Sequence, residues 1–135
     1  MYLLDTNILS ELMKKKPNAH MLSRLRSKPV HNLFTSCVCV SELRFGCSLR
    51  DDFENLWARI NREILSRINI VSLGQKEAVL AGDILAQVNS ARETPCMDDI
   101  LVAACAMANH LTVVSNDTER YASIKGLASE NWFEP

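Results

Sequence analysis

The chain has 135 residues, 47% hydrophobic and 23% charged, with a net charge of −1, the balance of an ordinary globular protein long enough to bury a sizeable core. No apolar run approaches the roughly 20 residues that span a bilayer, and Asp5 and Glu11 interrupt the first apolar stretch with no basic region ahead of it. Neither a membrane anchor nor a secretory leader is expected, and the sequence reads as one cytoplasmic domain over residues 1–135.

The first strand is predicted over Tyr2–Asp5, where apolar residues run straight into a carboxylate. A helix from Asn7 to Lys15 follows, with Asn7 as its N-cap and Lys14–Lys16 at the negative end of its dipole. Pro17 stops it, and a second helix spans Asn18–Arg26, with Met21, Leu22 and Leu25 on one side. Lys28-Pro29 breaks that helix; a strand over Leu33–Cys37 and a helix over Val38–Leu49 come next. Residues Asp52–Arg67 carry Phe53, Leu56, Trp57, Ile60 and Ile64 at three- and four-residue spacing, which predicts an amphipathic helix.

A short strand is expected over Asn69–Ser72, then a helix over Lys76–Ala91 that aligns Ala78, Ala81, Leu85 and Val88. Arg92–Met97 is polar, contains Pro95 and reads as a loop. Ile100–Ala108 is apolar all round, the pattern of a helix buried on most sides. A strand over Thr112–Ser115 and a short edge strand within Gly126–Pro135 complete the chain. Strands alternating with helices predict an α/β fold with a mainly parallel central sheet and helices on both faces.

Four carboxylates fall where such a fold would gather them. Asp5 ends the first strand and Asp117 lies two residues beyond the fourth, and ligands bind at the C-terminal edge of an open parallel sheet. Asp98 and Asp99 open the buried helix; one can serve as its cap, which leaves the other for a different role. Glu42 follows the second strand between Val40 and Leu43, and a carboxylate within an apolar stretch calls for a partner. Crowded carboxylates repel one another, and a divalent cation relieves the conflict. All-oxygen ligation without His or Cys fits Mg2+ or Mn2+, ions that serve phosphate chemistry.

The five cysteines, Cys37, Cys39, Cys47, Cys96 and Cys105, are an odd number and read as reduced thiols. Cys37 and Cys39 lack a second Cys/His pair at zinc-site spacing, so structural zinc is not expected. Charge is uneven: residues 1–67 hold eleven Lys/Arg against seven Asp/Glu, a net +4, and residues 68–135 hold four against nine, a net −5. A basic half suits a polyanion, although solvated helix faces give the same count. The aromatics are expected mostly on core faces, leaving few to stack bases.

Leu4-Asp5-Thr6-Asn7, Ser41-Glu42-Leu43, Asp99-Ile100-Leu101-Val102-Ala103-Ala104 and Ser115-Asn116-Asp117-Thr118 resemble, in order and spacing, the four signature blocks of PIN-domain ribonucleases. Within that family they are similar to the VapC toxins of bacterial type II toxin–antitoxin pairs and to the related FitB proteins. The opening Leu-Leu-Asp-Thr-Asn-Ile-Leu-Ser-Glu and the late Glu130-Asn131-Trp132 share the likeness, which runs nearly the whole chain.

The resemblance implies a PIN-like three-layer α/β/α fold and a metal-dependent endoribonuclease. Asp5, Glu42, Asp99 and Asp117 would be the catalytic, Mg2+- or Mn2+-binding quartet, with Asn7, Ser115 and Asn116 orienting a ligand or water. Asp99 is chosen over Asp98 because the family's acid directly precedes the apolar run; Asp98 becomes a cap or an outer acid. The fourth acid varies most within the family. Cys39 departs from the Thr that relatives often carry, and a thiol is a poor cap for the helix bearing Glu42.

Arg44, two residues after Glu42, is the first choice for an RNA phosphate contact, with Lys14–Lys16 behind it. The resemblance further implies an antitoxin whose C-terminal segment blocks the site, a homodimeric toxin and its hetero-oligomer with the antitoxin. Ile8, Leu12, Met13 and Leu22 would be available to such a segment, or would simply be core. Transfer RNA is the substrate the likeness implies, although no residue selects it over messenger or ribosomal RNA. Three rivals stand beside this reading. A haloacid-dehalogenase-type phosphatase needs a second Asp where Asn7 stands, and a receiver-like phosphoacceptor wants an acidic pair in the first loop. The third is a PIN-fold binding module without catalysis.

Overall fold

The computed structural model describes residues 1–91 and 95–135. Five strands form one parallel sheet: β1 (Tyr2–Leu4), β2 (Leu33–Ser36), β3 (Asn69–Val71), β4 (Thr112–Val114) and β5 (Ser129–Glu130), in the order β3-β2-β1-β4-β5. Six α-helices connect and cover them: α1 (Thr6–Leu12), α2 (Ala19–Arg26), α3 (Cys37–Ser48), α4 (Phe53–Ile60), α5 (Gln75–Ser90) and α6 (Met97–Ala108). The architecture is the three-layer α/β/α arrangement the sequence predicts. The chain moves outward from β1 through β2 to β3, then returns to place β4 on the other side of β1. The strand order therefore reverses between β1 and β4, and the crevice beyond the C-terminal ends of those strands is where such sheets bind ligands.

The core explains why these segments take these forms. Leu3 and Leu4 of β1 and Val113 and Val114 of β4 are buried, and Leu3 pairs across from Val113. Parallel strands covered on both faces read as unbroken apolar runs for that reason. In α6, Ala103, Ala104, Cys105 and Ala106 are without solvent contact, and small residues let this helix pack closely against α5 and α3. Each large aliphatic side chain buried in this core contributes about 2 kcal/mol by the area it removes from water.

Several predicted boundaries move, each for a physical reason. The N-cap expected at Asn7 is Asp5, whose Oδ1 accepts the Thr6 N–H at 2.8 Å. Helix α1 ends at Leu12 instead of Lys15. Its last turn tightens through Met13 N–H to Ser10 O, and Glu11 accepts both the Lys14 ammonium (2.9 Å) and the Asn18 N–H (2.9 Å), folding the chain over into α2. The helix expected over Asp52–Arg67 divides: α4 ends at Ile60 and a π turn covers Asn61–Leu65, closed by Ser66 N–H to Asn61 O at 2.9 Å. That wider turn lets Ile64 and Leu65 both face inward. In α5 the buried face is Glu77, Ala81, Ile84 and Val88: of the expected line, Ala81 and Val88 are buried, while Ala78 and Leu85 are exposed.

Buried Glu77 accepts the Gly74 N–H at 2.9 Å and the Asn109 amide at 3.3 Å, which satisfies its carboxylate. The predicted Arg92–Met97 loop falls partly on residues 92–94, outside the described residues, and Met97 already belongs to α6. The expected edge strand in the tail is β5, pairing Ser129 and Glu130 with Val113 and Val114. Among the described residues no helix is long and apolar enough to cross a membrane.

Candidate active site

Asp5 leaves β1 and enters α1 at the strand-order reversal, and it is 2% exposed. Its Oδ1 takes the Thr6 N–H and lies 3.7 Å from the Cys39 thiol. Its Oδ2 accepts the Tyr121 hydroxyl at 2.7 Å and the Arg120 guanidinium. The backbone is held as firmly, by Asp5 N–H to Val114 O and Ile8 N–H to Asp5 O, both 3.0 Å. A buried carboxylate requires this density of partners, because each oxygen left without one costs about 1–3 kcal/mol.

Glu42 comes to the same place from the second turn of α3. Its Oε1 accepts the Thr6 hydroxyl at 2.9 Å, so the residue after Asp5 orients the second acid. Ligating atoms of Asp5, Cys39 and Glu42 lie within 4.8 Å of one another. The concern about how Cys39 would cap this helix resolves differently: Ser36 is the N-cap, accepting the Cys39 N–H at 3.1 Å. The thiol forms a wall of the site instead. Burial and the nearby Asp5 push it up to about 11, so it stays protonated at neutral pH.

Asp99, largely buried in the first turn of α6, lies 3.6 Å from Arg120 Nη1. Asp117 is more than half exposed and meets Arg120 Nε at 4.0 Å, which places it at the outer edge. Asp98 is exposed in the same helical turn as Asp99 and does not cap it; the N-cap position is Cys96. Asn7 is a cross-link from helix to loop. Its amide donates to Ser115 Oγ at 3.0 Å and its Oδ1 accepts the Asn116 N–H at 3.0 Å. Ser115 Oγ also accepts the Asp117 N–H at 3.1 Å. The three supporting polar residues thus position the loop after β4, while Asn116 joins Thr6, Asn7, Lys14, Glu42 and Arg120 in lining an open cleft.

Two participants escape the sequence reading. Arg120, on a 3-10 turn over Thr118–Tyr121, spreads one guanidinium across Asp5, Asp99 and Asp117. Tyr121 seals Asp5 from below, and burial, followed by the Asp5 charge and hydrogen bond, drives its phenol far above the usual range. The available signal was the acid excess of the second half of the chain, which calls for an internal countercharge. Arg44, by contrast, lies outside the cleft lining, its guanidinium 4.9 Å over the Trp57 ring and 5.8 Å from Phe53. Tyr2, Phe34, Phe53, Trp57, Tyr121, Trp132 and Phe133 lie in or against the core as expected, and Phe45, 67% exposed, is the exception.

Burial raises the pKa of Glu42 and of Asp99. For Glu42 the Thr6 hydroxyl opposes the rise and Asp5 and Asp98 add to it; for Asp99 the Arg120 charge opposes it and Asp5, Asp98 and Asp117 add. Above the ordinary carboxylate value, about pH 4, the folded chain therefore keeps protons that the unfolded chain has released. The contribution of these two acids to the stability of the metal-free protein falls as pH rises through that window, while Glu11 and Glu77, held below their ordinary values, contribute in the opposite direction. Thermal melts in EDTA at stepped pH are expected to show the wild type losing stability relative to Glu42→Gln as pH rises through that window; a constant difference between the two would contradict the raised Glu42.

Carboxylate oxygens beside a protonated thiol form a hard donor set, suited to an ion such as Mg2+ or Mn2+. One arginine stands among three of the acids, Asp5, Asp99 and Asp117, and offsets part of their negative charge. Among the described residues, Asp5, Cys39 and Glu42 are the group whose ligating atoms lie close enough to share an ion, and Asp99 is tied to Asp5 through Arg120.

The family model described as PIN domain matches residues 2–127. The chain belongs to the PIN-domain family. Among PIN-domain relatives, it is 29% identical to Ribonuclease VapC2 of Haemophilus influenzae over 97% of both chains. It is 30% identical to Toxin FitB of Neisseria gonorrhoeae, over 99% of this chain and 100% of that one. A solved structure of FitAB bound to an IR36 DNA fragment superposes with a TM-score of 0.90 at 25% identity, covering 100% of this chain and 97% of its own. The PIN fold and the VapC/FitB resemblance expected from the signature blocks are thereby both met.

Proposed function

We propose that this chain, one PIN domain over residues 1–135, is a Mg2+- or Mn2+-dependent endoribonuclease toxin held in check by a cognate antitoxin. The observation that carries the reading is the meeting of acids at the sheet's reversal point: Asp5, just after β1, lies beside Glu42 of α3 and is joined to Asp99 of α6 through the Arg120 guanidinium. Asp5, Glu42, Asp99 and Asp117 form the catalytic and metal-binding set, with Asp117 outermost. Asn7, Ser115 and Asn116 fix the loop beside them, and Asp98 adds outer negative charge. A divalent ion held there lowers the pKa of an attacking water and neutralises charge on the phosphoryl oxygens.

The chain's own groups supply position. Thr6 orients Glu42, Tyr121 and the α1 backbone fix Asp5, and Lys14 lies along the cleft where a polyanion would run. Arg44 is proposed as a phosphate contact at some distance from the reacting centre. Its flat face rests on Trp57, and its edge remains able to donate hydrogen bonds. The names and complexes of the relatives support RNA as substrate and a toxin–antitoxin assembly as partner; a homodimeric toxin, its hetero-oligomer with the antitoxin and a cytoplasmic setting are part of the proposal through the family resemblance alone. Transfer RNA is the first substrate to assay.

Hydrolysis by water leaves the 2′-hydroxyl uninvolved, so products should carry 5′-phosphate and 3′-hydroxyl ends. Purified protein is expected to cleave RNA with Mg2+ or Mn2+ and to stop in EDTA, with activity falling as salt rises; Arg44→Ala should lower the salt slope by about one. Products ending in 2′,3′-cyclic phosphate would overturn the mechanism. Absence of cleavage by protein known to bind the ion would favour the non-catalytic PIN-fold module. The remaining alternative, a phosphohydrolase of another class with an aspartyl nucleophile, is disfavoured because Asn7, where a second Asp is needed, is committed to Ser115 and Asn116.

A further inference from the structure

We infer that Arg120 is the resident cation of the metal-free site, and that its guanidinium and the divalent ion exclude one another at the Asp5 and Asp99 carboxylates. The inference rests on the metal-binding reading above and adds to it a residue that sets how tightly the ion is held. Arg120 donates through Nη2 to Asp5 Oδ2, and its Nη1 lies 3.6 Å from Asp99 Oδ1. Asp5 and Asp99 are two of the acids that would hold the ion, so the guanidinium occupies carboxylates that the ion would need. A guanidinium in hydrogen-bond range of an oxygen leaves no room for a second cation on the same side of it, and the two positive charges repel. One or the other occupies the position.

The docked arginine is anchored without being locked. Its Nε is buried and has no hydrogen-bond partner, since Asp117 Oδ2 stands 4.0 Å away. The side chain is 36% exposed along the open cleft, so release to solvent is sterically available. Release also returns the Nε proton to water, which offsets part of the lost attraction to the acids. Without the ion, Arg120 limits repulsion among the acids; with it, the same charge is redundant and moves aside. The measured affinity for the ion is then the intrinsic affinity reduced by the fraction of molecules whose site Arg120 has left.

The test is calorimetric titration of the full chain with Mn2+. Arg120→Gln is expected to bind Mn2+ about tenfold more tightly than the wild type, with Arg120→Lys in between. Lys14→Gln removes one charge from the same cleft, where its ion-pair partner is Glu11 and none of the four candidate ligands, and should change the affinity by less than about twofold. An unchanged or weaker affinity in Arg120→Gln, or an equal effect of Lys14→Gln, overturns direct exclusion while leaving the metal site standing. Mn2+ bound by neither wild type nor Arg120→Gln overturns both readings.

The wild type carries a second test that does not depend on any variant folding. In 15N NMR of metal-free protein, the buried Arg120 Nε–H should give a signal protected from solvent exchange. Saturating Mg2+ should abolish that protection. Its persistence would overturn the inference.

Discussion

Asp5→Asn is expected to reduce RNA cleavage by on the order of 10³-fold or more while the chain stays folded. The substitution keeps shape and removes charge. Asparagine is as good an N-cap as aspartate, so the bond from the Thr6 N–H that starts α1 survives. The new amide can still meet the Tyr121 hydroxyl, which accepts as well as donates. It cannot meet Arg120, because donor would face donor, and the guanidinium loses its principal anchor. The stability cost is limited to about 1–3 kcal/mol. Activity should suffer far more, because the lost charge stands between Glu42 and Asp99, where the ion is proposed to sit. A gel-based cleavage assay beside a thermal melt separates the two effects. Substantial cleavage by folded Asp5→Asn would refute the assignment.

Trp132→Ala should cost about 3–5 kcal/mol, a large share of the 5–15 kcal/mol by which a domain of this size is typically stable. Trp132 has no exposed surface although it lies three residues from the last described one, Pro135. Its ring stands edge-on to Tyr2 at 5.1 Å between centroids, its Nε1 donates to Glu130 at 3.0 Å, and the Lys28 ammonium lies 5.8 Å from it. The side chain therefore fastens the tail and β5 to the start of β1. The loss extends to the site, because β5 flanks β4 and Asn131 donates to Asn116 O at 3.3 Å. Urea denaturation measures the effect, and Trp132→Phe should recover much of it. A loss below about 1 kcal/mol would mean that the tail is not part of the cooperative core.

The residues most legible in the sequence were those whose role leaves a local trace. Asp5 shows because an apolar strand ends on it, and Glu42 because a carboxylate interrupts an apolar segment. Asp99 shows because the helix behind it is apolar all round. The succession of strands and helices follows from alternating apolar periodicities. What stayed hidden depends on contacts across the fold. Asn7 and Asp5 are both good capping residues two positions apart; a bond to Ser115, 108 residues away, takes Asn7 and leaves the cap to Asp5. Arg120 lies on a short irregular turn with no periodicity, and its role is set by an acid 115 residues earlier. The π turn after Ile60 is equally silent, since the spacing of apolar residues up to Ile64 is that of an unbroken helix. Arg44 was read from its closeness to Glu42 in sequence, but the helix turns it onto Trp57.

The most direct measurement is anomalous diffraction from a crystal of this protein soaked in Mn2+. A peak is expected among the carboxylates of Asp5, Glu42 and Asp99, with Arg120 drawn away from Asp5. A Mn2+ peak elsewhere, or none while the Asp5–Arg120 pair persists under saturating ion, would contradict the proposed site.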